Sequence, residues 1–113
     1  MIMCIFIERD VTTLYILLDH NLYIENVLNL KEDIINYLTN NKQIKSIIID
    51  CNDIEYIDSY GLMVLIYLRK RCVQNNGFFK LINIRNKLRS LFMLSMLDKF
   101  FEIEYVYDKY SNE

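Results

Sequence analysis

Ile44-Lys45-Ser46-Ile47-Ile48-Ile49-Asp50-Cys51 leads through the polar link Asn52-Asp53 into Ile54-Glu55-Tyr56-Ile57-Asp58-Ser59-Tyr60-Gly61-Leu62. The unbroken β-branched run predicts a strand covered on both faces, as in a parallel sheet. Beyond the link the pattern predicts a helix. Leu62 to Leu68 is apolar on every side, so its first two turns are expected to be deeply buried. Arg69 to Asn76 is polar and should emerge into water, with Gly77 as the helix C-cap.

The same grammar extends in both directions. Upstream, residues 1–7 and 11–19 are rich in β-branched and aromatic residues and flank Glu8-Arg9-Asp10, which predicts two strands and a short turn, a hairpin. Ile24, Val27, Leu28, Ile34, Ile35 and Leu38 recur at helical spacing opposite Glu25, Lys31, Glu32 and Asp33, and Thr39 to Lys42 ends that helix. Downstream, Phe78 to Ile84 reads as a strand, and residues 86–97 as a third helix with Leu88, Leu91, Phe92, Ser95 and Met96 on its core face. Phe100 to Tyr107 reads as a last strand. The expectation is an α/β fold of order ββαβαβαβ, a mainly parallel sheet with an N-terminal hairpin and three main helices, joined by right-handed crossovers. One domain spans residues 1–107, and 108–113 form a polar tail.

A chain of 113 residues, 53% hydrophobic and 25% charged, has the size and composition of one globular domain. A net charge of −2 argues against nucleic acid as a partner. The basic groups Arg69-Lys70-Arg71 and Arg85, Lys87 and Arg89 read as solvated helix faces. Three separated cysteines, with no CxxC pair, fit a reducing compartment and give neither a disulfide framework nor a zinc site. Cys4 and Cys51 sit in apolar runs as expected core thiols, and Cys72 is expected to be more exposed. Met1 to Ile7 is too short to cross a membrane and lacks the marks of a signal peptide, so membrane insertion is not expected and the cytoplasm is.

Catalytic chemistry has little to stand on. His20 is the only histidine, with no carboxylate spacing that suggests a triad, and reads as a loop residue. Clustered metal ligands and glycine-rich phosphate loops are absent from the sequence. The expected role is binding, with no enzyme activity, cofactor or metal.

Asp58 or Ser59 suits an N-cap, since either side chain can accept from free amides of the first helical turn. Capping does not explain Gly61, because glycine in a helix costs about 0.5–1 kcal/mol against alanine. It would let another group approach the first turn closely.

Ile47-Ile48-Ile49-Asp50, then Asp58-Ser59-x-Gly61-Leu62, then the helix to Gly77, resembles the STAS domain, best known in anti-sigma factor antagonists. Leu88-x-x-Leu91-Phe92-x-x-Ser95-x-Leu97-x-Lys99-Phe100 is similar to that family's third-helix pattern. The resemblance covers residues 11–107. It implies a protein partner that is both anti-sigma factor and serine kinase, bound when Ser59 is unmodified and lost when Ser59 is phosphorylated, with a phosphatase to reset it. The implied partner-binding residues are Asp58, Ser59, Tyr60, Gly61 and Leu62. Three places differ from the family's usual residues: Tyr60 replaces Ser or Thr, and Met96 replaces a glycine and is read as core. Asn21 and Tyr23, in His20-Asn21-Leu22-Tyr23, replace the two carboxylates expected beside the serine. Two alternatives stay open: a non-switching structural or accessory subunit of a transport or signalling complex, and an anion site at the first turn of the second helix.

Overall fold

The computed structural model describes residues 4–8 and 10–106, with side chains from Asp10 onward. The expected start of the first strand at residues 1–3, Arg9, Tyr107 and the tail 108–113 lie outside the described residues, as does the Cys4 side chain.

In chain order the elements are β1 (Cys4–Glu8), β2 (Thr13–Leu18), α1 (Ile24–Asn40), β3 (Ser46–Asp50), α2 (Ser59–Gln74), β4 (Phe79–Ile84), α3 (Asn86–Leu94), a 3₁₀ turn (Leu97–Lys99) and β5 (Glu102–Tyr105). The sheet runs β1-β2-β3-β4-β5. β1 lies antiparallel to β2, and β2 to β5 are parallel. Each parallel step moves to the next strand in the same direction, and right-handed crossovers then set every helix on one face. The pleat records this. Leu14, Ile16, Leu18, Ile47, Ile49, Phe79 and Leu81 are buried beneath the helices, whereas Tyr15, Leu17, Ile48 and Ile82 on the other face are half-buried. The expectation that β3 is covered on both faces is therefore corrected: the fold has two layers, and Ile48 points away from the helical one.

α1 turns Val27, Leu30, Ile34 and Leu38 into the core, and α2 turns in Val64, Leu65, Leu68 and Cys72. Cys72 is thus buried rather than exposed, and burial pushes its thiol up to about 11. Burial, reinforced by Asp50, pushes the Cys51 thiol still further up. Both are protonated core groups at neutral pH.

Helix ends supply two further corrections. At the end of α2 the left-handed residue is Asn76 (φ 63°), not Gly77. The amides of Asn76 and Gly77 donate to the carbonyls of Val73 (3.1 Å) and Cys72 (2.8 Å), the bond pair of a Schellman motif. Met96 is 66% exposed and left-handed (φ 61°), just beyond the end of α3. It is a helix stop and not a core residue, a position that suits the glycine which the STAS resemblance implies there. Met96→Gly is expected to raise stability by roughly 1 kcal/mol, because a side chain is strained in this region. Urea unfolding of the two proteins measures it; a destabilised variant would contradict this account of the turn.

Candidate functional site

The link between β3 and α2 is held at both ends. At its start, Asp50 accepts from the Asn52 amide (2.9 Å), from Asn83 Nδ2 (2.9 Å) and from the Tyr15 hydroxyl. Asn83 reaches it because β4 is irregular there, with Asn83 left-handed at φ 58°. Arg85 donates through Nε to the Asn52 carbonyl (3.1 Å) and through Nη2 to its side-chain oxygen (2.8 Å), while Lys87 pairs with Glu55 (3.1 Å). The reading of Arg85 as part of a solvated face is therefore corrected: it ties the start of α3 to this link.

At its far end the link pairs with the loop before α1. Leu22 and Ile57 form a parallel bridge, through Leu22 N–H to the Tyr56 carbonyl (3.1 Å) and Asp58 N–H to the Leu22 carbonyl (2.9 Å). Asn21 adds a second tie, its side-chain oxygen accepting from the amides of Glu55 (2.7 Å) and Tyr56 (3.2 Å). The rings of Tyr23 and Tyr56 lie 5.5 Å apart. So the stretch 20–23 and the segment around Ser59 do meet in space, although a whole helix and strand separate them in sequence.

Asp58, and not Ser59, is the N-cap. One carboxylate oxygen accepts from the Gly61 amide (2.9 Å) and the other from the Ile24 amide (2.8 Å). A single carboxylate thereby serves the positive ends of both α1 and α2. Ser59 is left as the exposed first residue of α2. The intrahelical ladder opens with the Leu62 amide on the Asp58 carbonyl, so the amides of Ser59 and Tyr60 precede it.

Gly61 has a plain steric reason. A Cβ there would lie 2.5 Å from Ile57 Cγ2 and 2.9 Å from Leu22 Cβ. Gly61 is buried against its own chain, and the close approach expected at the first turn is made by Leu22 and Ile57. Leu62 is half-buried on the core; Tyr60 is 48% exposed and Met63 63% exposed. The first two turns of α2 are therefore buried on one face only, through Gly61, Val64 and Leu65, and not on every side. The other face carries Ser59, Tyr60 and Met63 outward, beside Tyr23, Ile24, Leu28 and Tyr56, all exposed as well. Met63, Leu28 and the tyrosines escape notice as surface in the sequence because apolar residues at helical spacing read as core; Met63 lies one turn beyond Ser59, which is the signal that places both on one side.

His20 sits in the loop before α1 with Nδ1 2.7 Å from the neighbouring Asp19 carboxylate. Among the described residues no three His, Cys, Asp or Glu side chains gather to hold a metal ion, and no helix is long and apolar enough to cross a membrane.

The two-layer α/β domain with a serine displayed where its second helix begins is placed by comparison with known proteins. The STAS domain profile matches residues 6–110, and the chain belongs to that family. Among solved structures it is similar to TM1081 of Thermotoga maritima, a candidate anti-sigma factor antagonist, at 25% identity and a TM-score of 0.81, over 90% of this chain and 86% of that one. It shares its fold with the anti-sigma factor antagonist SpoIIAA in unphosphorylated form, at 17% identity and a TM-score of 0.77, covering 95% and 90% of the two chains. The same holds for phosphorylated SpoIIAA of Bacillus, at 17% identity and 0.70, covering 95% and 94%.

Proposed function

We propose that this STAS domain is an anti-sigma factor antagonist-type regulator whose binding is switched at Ser59. With Ser59 unmodified, the surface formed by Asp58, Ser59, Tyr60 and the start of α2 binds a kinase-type anti-sigma partner in the cytoplasm. Phosphorylation of Ser59 by that partner releases it, and a phosphatase restores binding. The domain's part is recognition and not catalysis.

The observation that carries this reading is the division of labour between Asp58 and Ser59. Because Asp58 caps α2, the serine is exposed and free of structural duty, so its modification leaves the scaffold's hydrogen bonds in place. A phosphoserine would add about −1.5 to −2 charges beside the early amides and positive end of α2, which tolerates an anion. A partner packed on Tyr60 and Met63 would have to bury that charge unpaired, at several kcal/mol, and each ~1.4 kcal/mol is tenfold in affinity. SpoIIAA is known in both forms on this fold, and the present chain superposes on either.

Ser59→Asp is expected to weaken capture of the partner from native lysate by at least about tenfold, while Ser59→Ala captures it and no longer responds to phosphatase treatment. Equal capture by both variants would reject the switch. A second reading has one observation in its favour: Asn21 and Tyr23 stand where the family carries carboxylates, and Asn21 serves as a tie for the link. In that reading the domain is a permanent accessory of a transport or signalling complex. Mass spectrometry of the protein from its host separates the two, since a subunit of that kind carries no phosphate at Ser59 in any growth condition.

A further inference from the structure

Between α1 and α2 runs an open groove of about 270 Å³, beginning at Tyr60 and walled by Val27, Leu28, Met63 and Tyr67, with Lys31 its charged member. The Lys31 ammonium lies 4.4 Å from the centroid of the Tyr67 ring. Among the described residues Lys31 has no carboxylate partner, whereas Lys80 is paired with Glu102 and Glu104 and Lys87 with Glu55. The groove thus combines apolar walls with one cation, held over the Tyr67 ring, and no anion in its lining to balance it. We propose that it docks an acidic amphipathic helix of the partner protein, whose apolar side chains enter between the helices while a carboxylate meets Lys31. A helix is the shape that lies in a trough between two helices, anchored by residues one turn apart. A second copy of this chain fits poorly, because paired grooves would oppose two Lys31 ammonium groups. This deepens the reading of Ser59 and rests on it: a dianion next to Tyr60 repels an acidic occupant at the mouth of the same groove.

The test uses the unphosphorylated chain and two synthetic amphipathic helical peptides with the same leucine face, flanked by glutamates in one and by lysines in the other. At low salt the acidic peptide is expected to shift the amide signals of residues 27–31 and 60–67 and to bind about tenfold more tightly than the basic one. Lys31→Met, which keeps the length and apolar stem of the side chain, is expected to remove most of that difference. Equal binding of the two peptides, shifts centred instead on the exposed Met93, Leu94 and Met96, or no binding at millimolar peptide would overturn the proposal. None of these outcomes alters the response of Ser59 to phosphate, so the groove and the switch fail separately.

Discussion

Gly77→Ala is expected to cost more than about 3 kcal/mol, out of the 5–15 kcal/mol that holds a domain of this kind together. A Cβ at position 77 would fall 1.8 Å from the Lys45 carbonyl oxygen, 2.4 Å from its carbon and 2.8 Å from Ser46 Oγ. Overpacking normally costs about 1–3 kcal/mol because a side chain can swing aside. Here the obstacle is main chain, and that main chain is pinned. The amides of Lys45 and Ser46 both donate to the Thr12 carbonyl, at 2.9 and 3.1 Å, and the Ile47 amide donates to the Phe78 carbonyl at 3.0 Å. Moving the segment far enough would break the entry of β3 into the sheet between β2 and β4. Gly77 has no left-handed backbone to defend, since Asn76 takes that conformation, so the requirement is for space alone. Denaturant unfolding decides it: a midpoint within error of the parent would show that the end of α2 approaches β3 less tightly than these distances require.

Asp58→Ala comes second, with an expected loss of about 2–3 kcal/mol. Removing an N-cap usually costs about 1 kcal/mol. This carboxylate accepts two backbone amides from separate helices, each a charge-assisted bond at a positive helix end, so the loss exceeds that of an ordinary cap. Asp58→Asn keeps one acceptor oxygen and is expected to lose about 1 kcal/mol. Ser59→Ala, by contrast, should stay within about 0.5 kcal/mol of the parent, as for an exposed residue with no special duty. A larger effect from Ser59→Ala than from Asp58→Ala would mean that the serine is the real cap. The three variants measured side by side by urea unfolding therefore rank the two residues directly.

The order of elements was legible because each helix announces itself by spacing and each strand by a β-branched run closed with polar residues. What stayed hidden is non-local. Nothing near Asp58 signals that its second oxygen serves Ile24, 34 residues away. Gly77 invites explanation by backbone freedom, yet, like Gly61, it is needed because another part of the chain lies too close for a Cβ. On spacing alone Met63 and Met96 read as core, and spacing does not distinguish a buried stripe from one displayed for a partner or a residue stopping a helix. Ile48 shows the same limit in a strand: three isoleucines in a row say nothing about whether a second layer covers them. The start of α2 at Asp58-Ser59 was legible, because a polar link there meets an apolar helix, whereas the role proposed for Ser59 came from the STAS resemblance and not from the spacing. Its neighbours Asn21, Tyr23 and Tyr56 are brought to it by the Leu22–Ile57 bridge.

Titrating the lysate-captured partner into this chain by calorimetry, before and after stoichiometric phosphorylation at Ser59, measures how far one side chain governs recognition. Heat that vanishes on phosphorylation while the melting temperature holds steady is the predicted result. Unchanged affinity, or an affinity lost only because the modified chain has unfolded, would contradict it.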